Sequence, residues 1–232
     1  MRAYLAGLFA DKIDVLSSDI FNNLKKSFML KQKCSQTPNG SFVFANDYKA
    51  LSKKPYVVFL SRLTEGKGLT DFLNILPKLW EEIKIKAPKN IEFIIAGKGN
   101  LFDFAQKQTL LLKENGIPIS MAGEVHTPSF LQNVSVFLSL QEVTNYPSRV
   151  IAESLFSGTQ VIIRNTGDSK KIGNLTGIDY CSATLNDKEL SEKILISIKK
   201  ALNEEHIKQT ILEAKNIFSS KKTIDYFESL IS

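Results

Sequence analysis

From Pro55 onward the chain alternates short apolar runs with helical periodicities, separated by loops of a few polar or glycine-rich residues. Tyr56 to Leu60 is a strand of β-branched and aromatic type. The loop SRLTEGKG follows, then a helix with Leu69, Phe72, Leu73, Leu76, Leu79, Trp80 and Ile83 on one face. Ile91 to Ala96 reads as a second strand, running into Gly97-Lys98-Gly99-Asn100 and a helix over 101–114 that stops at Asn115-Gly116. Ile119 to Met121 is a short strand before Gly123-Glu124-Val125-His126, and Thr127-Pro128 supplies an N-cap with proline at the first helical position. Val134 to Leu140 is a buried strand, and Val161 to Ile163 another. Asp187 is expected to cap a helix carrying Leu190, Ile194, Ile198 and Leu202, with further helices near 206–218 and 221–231. Such alternation is satisfied by an α/β fold, a Rossmann-like parallel sheet with helices on both faces. Right-handed crossovers then bring the strand-end loops SRLTEGKG, GKGN, GEVHT and TNYPS to one edge.

The stretch Glu142 to Asp168, EVTNYPSRVIAESLFSGTQVIIRNTGD, is the sharpest candidate for a working loop. It leaves the 134–140 strand and enters a helix with Val150, Ile151, Leu155 and Phe156 on one face; Pro147 suits the first helical turn and Gly158 its end. Open α/β sheets bind ligands at such strand ends, and the helix N-terminus offers free N–H groups and partial positive charge to a phosphate. Glu153, about two turns on, is within reach of a sugar hydroxyl. Arg62 and Lys67 flank a glycine-containing loop between a buried strand and a helix, so both can point over the strand ends. Gly97 and Gly99 allow close backbone approach, although GxG alone also describes a tight turn. His126 before a helix cap reads more readily as a surface residue than a base, and His206 as structural. No Asp-x-Asp pair occurs, so no metal ligand is assigned.

Composition narrows the partners. A hydrophobic share of 43% supports a substantial core, and the net charge of +6 is spread thinly. That balance fits a lysine-rich solvated surface, and also a phosphorylated small molecule or an anionic surface. The aromatic interleaving of a single-strand binder is not evident, so nucleic acid is not an expected partner. Cys34 and Cys181 lack CxxC spacing, which fits a reducing cytoplasm. No apolar run approaches the ~18 residues of a membrane span, and MRAYLAGLFADK lacks a convincing cleavage region.

NYPSRVIAESLFSG followed by VIIRNTGD resembles the donor-site signature of the retaining glycosyltransferases of the GT-B fold, family 4. That signature has two glutamates separated by seven residues; Glu153 matches the second, whereas Asn145 stands where the first is usual, a departure read as a subfamily trait. The nearest acid, Glu142, falls three positions early. SRLTEGKG resembles the family's diphosphate motif, with Ser61 where glycine is usual. The resemblance implies an enzyme, a glycosyltransferase using a UDP or GDP sugar as donor without metal or other cofactor, with an acceptor glycan or lipid-linked sugar, in surface polysaccharide or lipopolysaccharide-type biosynthesis. It assigns Arg62 and Lys67 to the leaving diphosphate, Glu153 to the ribose, and Asn145, Tyr146, Pro147 and Ser148 to the sugar or phosphate. Gly97 and Gly99 become a wall of the nucleotide pocket, and Val125 and His126 meet the nucleobase. Residues 1–50, with a turn at Pro38-Asn39-Gly40, resemble the tail of the N-terminal acceptor domain and its linker; 51–213 form the donor domain and 214–232 a crossover helix. Cytoplasmic residence, with peripheral contact at the inner membrane face, is expected. Three other readings stay open: a donor-binding fragment without transfer, one subunit of a split enzyme, and a non-enzymatic α/β interaction module.

Overall fold

A computed structural model describes residues 7–37, 50 and 52–231. The chain begins with a small unit, β1 (Ile13–Val15), α1 (Ser18–Lys25) and β2 (Cys34–Gln36), whose two strands pair in parallel. The main body then runs β3 (Lys54–Leu60), α2 (Leu69–Ile83), β4 (Glu92–Ala96), α3 (Phe102–Glu114), β5 (Ile119–Gly123), α4 (Thr127–Leu131) and β6 (Val134–Ser139). It continues through α5 (Arg149–Phe156), β7 (Gln160–Arg164), a 3-10 turn at Ser169–Ile172, β8 (Ile178–Cys181), α6 (Asp187–Ala201), α7 (Glu204–Ile217) and α8 (Ser220–Ile231).

The main sheet has six strands in the order β5-β4-β3-β6-β7-β8, and every pairing is parallel. From β3 the chain builds outward to β5, then returns to the other side of β3 with β6. Connections on either side of that reversal lead to opposite faces, opening a crevice at the carboxyl ends of β3 and β6.

Successive strand residues face opposite ways, so a sheet covered on both sides demands unbroken apolar runs. Val57 and Phe59 join one core with Phe72 and Leu76 of α2, Ala105 and Leu112 of α3, and Ile194 and Ile198 of α6. Val58 and Leu60 join the other with Leu131 of α4, Ile151 and Leu155 of α5, and Ala214 of α7. Phe59 stacks on Phe72 with ring centroids 5.8 Å apart. Truncating a ring buried this deeply costs about 3–5 kcal/mol. All six positions of β6 are buried, which is why its sequence shows no alternation.

Lys53, just ahead of β3, is buried and donates to the carbonyls of Leu131 at 3.2 Å and Ser157 at 2.6 Å, and to Thr159 Oγ1 at 3.2 Å. It therefore caps the carboxyl ends of α4 and α5, where the helix dipoles favour a cation. Burial nonetheless pulls its ammonium down to about 7.

Several boundaries differ from expectation. β2 and β8 were not anticipated: Cys-Ser-Gln and Ile-Asp-Tyr-Cys are short, mixed-polarity edge strands that partners define. Pro147 does not start α5; it precedes the cap Ser148, whose Oγ accepts from the Ile151 N–H. Asn186, not Asp187, caps α6 through the Glu189 N–H. Likewise α4 begins at Thr127, with His126 before it. The Pro38-Asn39-Gly40 turn lies outside the described residues. The β1-α1-β2 unit is tied to the body by Ser18 N–H to Asp168 Oδ2 at 2.9 Å and Tyr146 Oη to Thr37 O at 3.2 Å. Among the described residues no helix is long and apolar enough to cross a membrane.

Candidate functional site

The crevice at the sheet's reversal is a cavity of about 290 Å³. Its floor comes from the last residues of β3 and β6, Phe59, Leu60, Leu138 and Ser139, and its rim from Ser61, Arg62, Lys67, Gln141, Ser148 and Val150. Two cations and no carboxylate line it. Arg62 is exposed, and Lys67, half-buried, donates to Gln141 Oε1 at 2.6 Å. A neutral acceptor leaves the positive charge uncancelled, so the cavity suits an anion.

Two helix N-termini adjoin this rim. That of α5 is capped by its own Ser148. That of α2 has Gly68 as cap residue, at φ +82° and with no side-chain hydrogen bond. A Cβ at Gly68 would lie 2.0 Å from the Leu140 carbonyl oxygen, so only glycine lets α2 start this close to β6.

Of the residues singled out from sequence, Arg62, Lys67 and Ser148 meet at the cavity. Asn145 does not line it. It is fully buried, and its Oδ1 accepts from Ser139 Oγ at 2.7 Å and from the Gln141 N–H at 3.1 Å. Its Nδ2 donates to the Arg164 carbonyl at 2.8 Å, and to Thr166 Oγ1 and Ser169 Oγ, each at 3.2 Å. The surroundings present both donors and acceptors, which an amide satisfies and a carboxylate would not. Tyr146 is also buried, its hydroxyl spent on Thr37. Pro147, half-buried after a cis peptide bond, lies between it and Ser148.

Glu153 is buried on α5, and its Oε1 accepts from Arg149 Nε at 2.8 Å. Gly97 and Gly99 approach the neighbouring loop closely: added Cβ atoms would lie 1.9 Å from Ser61 O and 2.2 Å from Leu63 O. That packing lets the Leu63 N–H reach Lys98 O at 2.8 Å and shapes the SRL turn carrying Arg62. Val125 packs beneath the sheet's second core, and His126 is exposed with Nδ1 3.0 Å from Ser129 Oγ. Neither lines the cavity. Away from the site, His206 Nε2 lies 2.9 Å from Gln160 Oε1, and burial with the nearby Lys200 depresses its pKa. Burial pushes the Cys181 thiol up to about 12. Among the described residues, no group of three or more His, Cys, Asp or Glu side chains is assembled that could hold a metal ion.

Residues 54–200, more than half of the chain, match the family model described as Glycosyl transferases group 1. The chain belongs to that family. The matched span runs from the start of β3 through most of α6, and so contains the whole cavity. The fold is that of the carboxyl-terminal domain of GT-B enzymes, and the solved relatives share it at low identity. HepE from Anabaena, solved in complex with UDP and glucose, superposes with a TM-score of 0.78 at 15% identity, over 99% of this chain and 65% of that one. A mutant of TarM from S. aureus, in complex with Fondaparinux, alpha-GlcNAc-glycerol and UDP, gives 0.72 at 16%, over 99% and 46%. Sucrose-phosphate synthase from Thermosynechococcus elongatus gives 0.72 at 12%, over 99% and 59%. The chain thus spans less than two thirds of the length of these relatives. No curated protein matches the sequence significantly.

Gln141, Ser139, Ser169 and Arg164 were not singled out from the sequence, yet they hold the loops around the cavity together. Gln141 had one available signal, its position just beyond the carboxyl end of a buried strand. The others act through loop-to-loop contacts, which leave no local pattern.

Proposed function

We propose that the chain is the donor-binding half of a family 4-like retaining glycosyltransferase, transferring a sugar from a nucleotide diphosphate sugar to a glycan or lipid-linked acceptor. One observation carries the reading: the cavity at the switch point is lined by Arg62 and Lys67 and by no acid. Arg62 offers a planar fork and Lys67 a mobile point charge, together suited to a bridging diphosphate. Both stabilise negative charge as it grows on the leaving phosphate, and no proton has to move to them. Charge-assisted hydrogen bonds of this kind contribute about 1.5–3 kcal/mol each. The N-terminus at Ser148 adds about 0.3–1 kcal/mol. Glu153, one oxygen oriented by Arg149, is assigned to the ribose hydroxyls. The bases and sugars named for the solved relatives support UDP as the first donor nucleotide to test. In this reading residues 1–50 belong to the acceptor half and its linker, 51–213 form the donor domain, and 214–232 cross back. The enzyme works in the cytoplasm, on polysaccharide or lipopolysaccharide-type acceptors at the inner membrane face.

The experiment is calorimetric titration with UDP and GDP, beside an Arg62→Ala/Lys67→Ala variant. Saturable binding of one nucleotide, lost in a folded variant, supports the reading; no binding at millimolar nucleotide counts against it. Retention is read from the anomeric configuration of the product by NMR.

A second reading, a donor-binding unit that transfers only when completed by a separate acceptor-binding chain, is favoured by exposed apolar side chains. Phe28 and Met29 lie on the small first unit, Phe9 ahead of it, and Phe227 and Ile231 on α8. Transfer by this chain alone would overturn it.

A further inference from the structure

We propose that Gln141 is a positioning residue that holds Lys67 over the cavity, that Asn145 fixes it in place, and that its neutrality keeps the site cationic. The inference rests on the donor-site reading above and deepens it. The Lys67 ammonium meets the Gln141 side-chain oxygen at 2.6 Å, on the cavity rim. Gln141 is itself pinned on both sides of its backbone. Its N–H donates to Asn145 Oδ1 at 3.1 Å, and its carbonyl accepts from Thr166 Oγ1 at 2.8 Å. The next residue, Glu142, donates its N–H to the carbonyl of Gly66 at 3.0 Å, joining this loop to the one that carries Lys67. Asn145 passes the constraint to β7 through the Arg164 carbonyl.

A lysine side chain has four rotatable bonds and loses much rotamer freedom when fixed. An acceptor already locked in place takes up part of that loss before a ligand arrives. The acceptor's chemistry matters as much as its position. A carboxylate here would form an ion pair with Lys67 and compete with a diphosphate for the ammonium; the amide oxygen orients it and leaves its charge available. The amide at 145 acts in the same sense, since it puts no negative charge behind the cavity floor. Gln141→Glu adds a competing charge with almost no change of shape, and Gln141→Leu removes the acceptor.

The test is calorimetric titration of the full chain with UDP and with GDP, comparing wild type, Gln141→Glu, Gln141→Leu, Lys67→Ala and the double variant Lys67→Ala/Gln141→Glu. Circular dichroism and urea midpoints monitor the fold. Gln141→Glu should weaken nucleotide binding on the order of ten-fold, and Gln141→Leu by a smaller factor. In the Lys67→Ala background Gln141→Glu should have a clearly smaller effect, what remains being its direct repulsion of the diphosphate, a coupling that general loss of structure would not produce. If wild type binds and Gln141→Glu binds equally well, or loses as much without Lys67 as with it, the positioning role is wrong while the donor site stands. If wild type binds neither nucleotide, the donor-site reading fails and takes this inference with it.

Discussion

Arg164 Nη1 lies 2.7 Å from Asp71 Oδ2, tying the carboxyl end of β7 to the first turn of α2. Arg164 also donates Nε to the Ala183 carbonyl at 2.6 Å, and its side chain is only 13% exposed against 43% for Asp71. Asp71 lies in the first turn of α2, which begins two residues after Lys67. Arg164→Ala removes both bonds and should lower stability by about 2 kcal/mol, whereas the more exposed Asp71→Asn should cost at most about 1. Urea unfolding of the two variants checks the order; equal losses would mean that the ion pair, not the carbonyl bond, carries the effect.

Glycine is required to very different degrees along the strand-end loops. Gly99→Ala would force a Cβ to 2.2 Å from Leu63 O, in backbone contact that cannot relax cheaply. Gly66, at φ +76°, has nothing within 4 Å of a built Cβ. Gly66→Ala should therefore cost only the left-handed penalty of about 1–2 kcal/mol, and Gly99→Ala should exceed about 3 kcal/mol or abolish folding. Denaturant midpoints of both variants decide it.

Asn145→Asp is nearly isosteric and isolates the amide's donor. At neutral pH the carboxylate would face the Arg164 carbonyl that Nδ2 now serves at 2.8 Å. A buried site losing a donor and gaining a charge should be destabilised by about 2–4 kcal/mol, and the loss should shrink on acidification as the Asp regains a proton. A variant as stable as wild type at pH 7 would show that the hub tolerates charge.

Lys53 gives a pH dependence of definite sign. Burial takes its ammonium from an ordinary 10.5 down to about 7. Between those values the unfolded chain holds a proton that the folded chain has released, so stability rises with pH across that window, by at most about 1.4 kcal/mol per unit. The cost of burying the ammonium is therefore full below about 7 and gone above 10.5. Urea midpoints of wild type and Lys53→Met between pH 7 and 9 should diverge, wild type gaining. Parallel profiles would mean that the carbonyls of Leu131 and Ser157 keep the ammonium charged.

Much of the architecture was legible because it is written in local periodicity. The buried runs at 56–60, 91–96 and 134–140 announce strands covered on both faces, and the spacing Leu69, Phe72, Leu76, Ile83 announces α2. Short edge strands escaped, because Ile178–Cys181 is a strand only through its pairing with β7. In the loops, residue type and location were readable but side-chain direction was not. Asn145 occupies the loop that its motif marks, yet it faces inward, because the ends of β6 and β7 present donors and acceptors that only a buried amide satisfies.

The sequence by itself determined the α/β class, the apolar faces of the helices, and the gathering of four loops at one edge, since hydrophobic periodicity and crossover handedness act without knowledge of distant contacts. Only the tertiary structure decided that Arg62, Lys67, Gln141 and Ser148 share one cavity while Asn145, Tyr146, Gly97 and Gly99 brace it from behind. The physical reason is that a loop side chain points where its buried hydrogen bonds can be satisfied, and those partners lie on strands and loops remote in sequence.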